Sequence, residues 1–218
     1  MKILLITSSP RLEESRTFLL AKGVLKGASE SGADTEVIHL ADQDLCFCQH
    51  CQACHKKILQ CTEDDSIPAI LNKMIEADGI ILASPNYINQ VTALMKALFD
   101  RSTHFIHCKR LMDKYVAGVI SSGSGEDKQV LDYIKHYAHI CGAQFSGGVA
   151  ACERSVEEKM DQAYQLGKKL VEDIKAKKVF SDQMKIIEAS RDHFKELIQL
   201  RKDEWPEEYA YWQDKGWL

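Results

Sequence analysis

Five short segments of strand character recur along this chain, each followed in sequence by a segment that reads as a helix. They are KILLIT at 2–7, TEVIHL at 35–40, IILAS at 80–84, YVAGVIS at 115–121 and the segment 143–150. The first is apolar without alternation, the pattern of a strand covered on both faces. The stretches between them, about 15–31, 66–77, 90–102, 127–140 and 155–177, read as helices. In the first of these, Leu19, Leu20, Val24 and Leu25 supply one apolar face, and Ser31-Gly32 ends it. Strand–helix alternation repeated five times implies a parallel sheet with helices on both faces.

Five such units within residues 1–178 predict an α/β, flavodoxin-like, doubly wound five-stranded sheet of order 2-1-3-4-5. Residues 179–218 form a separate, helical C-terminal extension. It carries one amphipathic helix, about 182–203, and then Trp205, Tyr209, Tyr211, Trp212 and Trp217, including every tryptophan of the chain. Aromatic residues at that density leave water, either by packing on the first domain or by meeting another subunit. A chain of 218 residues buries a full core. Its net charge of -4 gives no pull toward nucleic acid. No run approaches the roughly 20 apolar residues of a membrane span. The opening MKILLITSSP reads as a first strand rather than a signal peptide. The expectation is a cytoplasmic protein with neither a membrane nor a nucleic-acid partner.

The turn after the first strand, Thr7 to Thr17, lies where sheets of this type bind ligands. It opens a helix, whose free N–H groups and positive dipole end suit an anion. Ser8, Ser9, Ser15 and Thr17 add hydroxyls, and Arg11 and Arg16 add guanidinium groups that grip a phosphate with paired bonds. The turn is neither a G-x-G-x-x-G dinucleotide loop nor a G-x-x-x-x-G-K-[ST] nucleotide loop. The plainer reading is a Ser15 helix cap with unrelated neighbours.

Five of the eight cysteines fall within sixteen residues: Cys46, Cys48, Cys51, Cys54 and Cys61. A reducing compartment argues against a disulfide framework. Cys48, Cys51 and Cys54 repeat as C-x2-C-x2-C, and Cys61 follows after six residues, inside a loop at 45–62 without clean periodicity. Ferredoxin-type iron–sulfur loops open on the same repeat. Zinc is the rival metal, with His50 and His55 as further ligands, although zinc usually takes its cysteines in two separated pairs. A loop with no metal is the third reading. Cys46 is spare, and Cys108, Cys141 and Cys152 read as small buried apolar residues.

Three segments together resemble the NADPH-dependent FMN reductase family, and within it the iron–sulfur flavoprotein branch. They are SSPRLEESRT at 8–17, the cysteine loop ending in CTEDD at 61–65, and SPNYINQVTALMKALFDR at 84–101. The resemblance covers about residues 1–175 and implies a flavodoxin-like fold holding FMN. It implies that Ser9, Arg11, Ser15 and Thr17 hold the FMN phosphate. Pro85, Asn86, Tyr87 and Ile88 would line the isoalloxazine, with Asn89 near its polar edge. Ser122 and Gly123 match the family's third flavin loop loosely. Cys48, Cys51, Cys54 and Cys61 would ligate a [4Fe–4S] cluster. The family usually carries glycine where this chain has Ser8, which serine tolerates only if φ there is not positive. Lys96, Asp100 and Arg101 read as a helix face with an end-of-helix ion pair. No catalytic acid or base is expected, because flavin chemistry asks the protein for positioning and electrostatic tuning.

Three functions follow as expectations. The first is an FMN-dependent oxidoreductase or electron carrier that couples FMN to the cluster, working as a homodimer or homotetramer with a small-molecule or protein redox partner. The second is a cluster-free NAD(P)H-dependent flavin, quinone or nitro reductase. The third is a non-enzymatic flavin- or metal-binding interaction protein whose aromatic tail meets its partner.

Overall fold

The computed structural model describes residues 1–125 and 127–218. In chain order the elements are β1 (Lys2–Thr7), α1 (Arg16–Glu30), β2 (Asp34–His39), α2 (Ala53–Lys56), α3 (Ile67–Glu76), β3 (Gly79–Pro85) and α4 (Ala93–Arg101). There follow α5 (Thr103–Cys108), β4 (Tyr115–Ser122), α6 (Lys128–Ile140), β5 (Gln144–Cys152), α7 (Met160–Lys175), α8 (Ser181–Leu200) and α9 (Pro206–Asp214). The five strands form one sheet of order β2-β1-β3-β4-β5, and every neighbouring pair is parallel. This is the flavodoxin-like doubly wound arrangement.

Strand residues alternate faces with a period of two, and both faces are buried. Ile3, Leu5, Ile81 and Val119 join Val24 of α1 and Leu170 of α7 in one core. Leu4, Ile6, Leu82 and Ile120 join Met74 of α3, Leu98 of α4 and Ile134 of α6 in the other. Helices α1 and α7 cross at glycines. A Cβ on Gly27 would stand 2.0 Å from the Tyr164 carbonyl oxygen, and one on Gly167 would stand 2.0 Å from that of Val24. In an exposed helix, alanine in place of glycine would stabilise by about 1 kcal/mol. Here the sign reverses. Gly27→Ala is expected to destabilise by about 3 kcal/mol, read from the urea midpoint, because both helix backbones must separate.

The element boundaries depart from the sequence expectation where side chains intervene. The helix expected from about 155 begins as two 3-10 turns, Glu153–Ser155 and Glu157–Lys159, and becomes α only at Met160. Arg16 holds that stretch through the Glu153 carbonyl at 3.2 Å and the Glu157 carboxylate at 2.6 Å. The helix expected at 90–102 starts at Ala93, where Thr92 accepts from the Met95 N–H. It is interrupted at Ser102, whose hydroxyl bonds to the Phe99 carbonyl and to the Tyr137 hydroxyl, before α5 resumes. Cys152 is half-exposed rather than buried, because it ends β5 at the rim of the sheet.

The aromatic tail packs back on its own chain. In α8, the Gln183 side chain accepts from the Phe145 N–H at 2.6 Å and donates to the Phe145 carbonyl at 3.0 Å, covering edge strand β5. Trp205 and Trp212 bury with Cys108 and Ile198 in a third core, which Ile58 of the cysteine loop also touches. The Trp212 indole N–H donates to the His107 carbonyl at 3.1 Å. The Trp205 indole donates to the Gln52 side chain at 3.2 Å.

Candidate functional site

Two recesses lie among the loops of this frame, and they share no lining residue. The first opens at the carboxyl ends of β1, β3 and β4. It is lined by Ser9, Arg11, Ser15, Thr17, Pro85, Asn86, Tyr87, Ser122 and Gly123, nine of the eleven residues expected from sequence, together with Arg16, Ser121 and Glu153. Ser15 caps α1 by accepting from the Phe18 N–H at 3.3 Å. The Thr17 and Ser121 hydroxyls bond at 2.6 Å, tying α1 to β4. Arg11 reaches the Glu153 carboxylate at 3.2 Å. Ser8 keeps a negative φ and donates its N–H to the Ala83 carbonyl at 3.0 Å, so serine stands there without strain.

Ile88 and Asn89 sit beyond the lining, at the tip of a tight turn. Tyr87 and Gln90 exchange backbone bonds at 2.9 and 3.1 Å, and the two residues between them have φ of 51° and 57°. A β-branched residue in that region stores about 1–3 kcal/mol of strain. Ile88 is also fully exposed, so its own chain offers no packing in return.

The second recess is lined by all four cysteines of the C-x2-C-x2-C-x6-C pattern. His50, Gln52 and Leu59 adopt left-handed backbone between them, at φ of 52°, 62° and 66°, which curls the loop around the recess. Every cysteine is a free thiol. The Cys51 thiol bonds to the Thr62 hydroxyl at 3.3 Å, and that bond lowers its pKa. Burial pushes the Cys54 thiol up to about 12. Cys46 does not line the recess; its backbone is held by the Asp65–Arg101 pair.

That pair is the first feature the sequence reading missed. Arg101 is buried, not a surface helix end, and its two terminal nitrogens meet the Asp65 carboxylate at 2.7 and 3.0 Å. Burial opposes the Asp65 charge, but Arg101 and the N–H groups of Cys46 and Ile67 outweigh it and hold the pKa below the ordinary value. Arg101 also lines the cysteine recess.

The second missed feature joins the loop to the tail. Glu208 of α9, with no exposed surface, meets His55 Nδ1 at 2.7 Å and His107 Nδ1 at 3.0 Å. An ionised carboxylate only accepts, so both imidazoles carry a proton on Nδ1 and donate. The three potential ligand atoms lie within 4.8 Å of one another. The imidazoles stack 4.7 Å apart at 21°, however, so their lone pairs run nearly parallel instead of converging on one ion. The arrangement is a double hydrogen-bond clamp. Nothing in the local sequence signals it, because His55 and Glu208 are 153 residues apart.

The strand order defines a flavodoxin-like fold, and the recess opens at the strand ends where such sheets bind ligands. The profile of the family described as NADPH-dependent FMN reductase matches residues 1–156, and the chain belongs to that family. An iron–sulfur flavoprotein of Methanocaldococcus jannaschii is 41% identical over 127 residues, which span 58% of this chain and 64% of that relative. An iron–sulfur flavoprotein of Archaeoglobus fulgidus is 28% identical over an alignment of 226 positions that covers both chains in full. Among solved structures, a flavone reductase superposes with a TM-score of 0.66 at 20% identity, over 80% of this chain and 63% of its own; that likeness concerns the fold. No helix among the described residues is long and apolar enough to cross a membrane.

The residues present fit both groups that these likenesses suggest. The first recess offers five serine and threonine hydroxyls, the guanidinium groups of Arg11 and Arg16 and the N-terminus of a 15-residue helix to a phosphate. The second offers four free thiols on one cavity, and a thiol as desolvated as Cys54 becomes a thiolate readily only when a metal replaces its proton.

Proposed function

We propose that this chain is an FMN-dependent oxidoreductase that passes electrons between FMN in the strand-end recess and a [4Fe–4S] cluster in the cysteine recess. The observation that carries this reading is the convergence of Cys48, Cys51, Cys54 and Cys61 on one cavity of a flavodoxin-like fold. When bound, FMN exchanges one or two electrons and the cluster exchanges one, so together they join two-electron and one-electron donors.

The chain's own residues bind and orient. Ser9, Ser15 and Thr17 donate hydroxyls to the phosphate at the N-terminus of α1, with Arg11 supplying charge. Pro85, Asn86 and Tyr87 form a stiff wall for the ring, with Ile88 and Asn89 at its rim. Ser122 and Gly123 complete the pocket from the loop after β4. No side chain is asked to move a proton. A homodimer or homotetramer that sets one subunit's cysteine recess against another's flavin recess is the assembly proposed, as the family resemblance implies. NAD(P)H is the two-electron donor proposed, and the eight free cysteines suit a reducing, cytoplasmic setting.

One anaerobic absorption spectrum tests the reading. Flavin bands with a broad iron–sulfur shoulder support it, and Cys51→Ala should then remove most of the iron while leaving the flavin. Flavin bands alone in an anaerobically reconstituted sample would replace it with a cluster-free NAD(P)H-dependent reductase. Absence of both chromophores would leave an interaction protein.

A further inference from the structure

His104 is an unexplained polar residue in the wall of the cysteine recess. It sits in α5, one helical step from the His107 that donates to Glu208, so α5 presents two imidazoles on neighbouring positions of one face. The two differ in their partners. His104 is 1% exposed, and neither Nδ1 nor Nε2 has a hydrogen-bond partner among the described residues. Its nearest ring contact is the edge-on Phe105, with centroids 4.9 Å apart. Buried polar side chains in native proteins are nearly always hydrogen-bonded, and one left without a partner points to a ligand. His104 shares its cavity with Cys48, Cys51, Cys54 and Cys61.

We propose that His104 donates an N–H hydrogen bond to a sulfur of the iron–sulfur cluster held by these four cysteines, and so sets the cluster's reduction potential. The inference rests on the cluster reading above. Burial drives the His104 pKa down to about 3, so the ring is neutral at working pH and keeps one N–H to give. The other buried side-chain donors on this wall are Arg101 and His55. Arg101 serves Asp65 and the Cys46 carbonyl, and the His55 Nδ1–H serves Glu208. A hydrogen bond to a cluster sulfur favours the reduced, more negative state and raises the potential. Leu59, Ile67 and Leu71 supply apolar parts of the same wall.

The test uses the full chain, reconstituted anaerobically with iron and sulfide, and reads iron content and the midpoint potentials of cluster and flavin separately. His104→Phe is expected to retain iron and the flavin potential. Its cluster potential should fall by at least a tenfold shift in the one-electron reduction equilibrium, about 59 mV. His104→Gln, which keeps an N–H donor, should recover part of that shift. An iron-loaded His104→Phe protein with an unchanged cluster potential overturns the proposal and leaves the cluster reading standing. Wild-type chain that takes up no iron overturns both. A second measurement stands even if His104→Phe folds poorly. Hyperfine spectra of the reduced wild-type cluster, with 15N-labelled histidine, should show a weak nitrogen coupling that His104→Gln removes. A strong coupling, the mark of imidazole bound directly to iron, or no coupling at all, would overturn it.

Discussion

Glu208→Ala is expected to lower folding stability by about 3–5 kcal/mol and to expose the cysteine loop to proteolysis. The reason lies in what remains behind. His55 and His107 would keep buried Nδ1–H donors with no acceptor, and α9 would lose its only charged anchor to α2 and α5 among the described residues. Urea denaturation reads the first effect, and limited proteolysis around residues 48–61 reads the second. A variant that unfolds at the wild-type urea midpoint would show that the aromatic core alone holds the tail. The clamp also predicts an acid limit. Burial works against the Glu208 charge, yet the hydrogen bonds from His107 and His55 outweigh it and hold its pKa below the ordinary 4.5. A carboxyl depressed in the folded state contributes its full stability above the unfolded value and loses it as pH falls through the folded value. Wild-type stability should therefore fall below about pH 4.5, and the fall should be shallower in Glu208→Gln.

Arg101→Met should cost a similar 3–5 kcal/mol, because Asp65 is left as a buried carboxylate with no counter-charge. The guanidinium also holds the Cys46 carbonyl at 2.8 Å, so the entry to the cysteine loop loosens with it. Pairing the change with Asp65→Leu removes the stranded charge and should restore most of the loss. Denaturation of the two single variants and the double variant closes the cycle. Strict additivity would mean that the pair is not coupled and that Arg101 acts through packing alone.

The strands were legible because their signal is local. An apolar run such as KILLIT announces a strand covered on both faces, and β1 spans the residues expected, Lys2–Thr7. The right-handed crossover rule then leaves few ways to thread five such units, so the strand order followed. Helix ends were less legible. The start of α7 depends on Arg16 reaching Glu153 and Glu157, more than a hundred residues along the chain, and the break after α4 depends on Tyr137. Of the tail's two possible fates, its own chain was decided by Trp212 finding the His107 carbonyl, a partner 105 residues away.

The cysteines and the strand-end loop residues could be proposed from sequence because metal and phosphate sites use ligands close together in the chain, where spacing limits reach. Arg101, His104 and Glu208 could not, since an arginine at a helix end, a histidine before a phenylalanine and a glutamate after Pro206 have ordinary exposed or core readings. Their roles arise where α4, α5 and α9 bury them against the cysteine loop. The sequence by itself determined the alternation of elements and the cysteine spacing, because hydrophobic period and chain connectivity are properties of neighbours. Only the tertiary structure decided which polar groups lose water together, because desolvation depends on what packs against a side chain from distant segments.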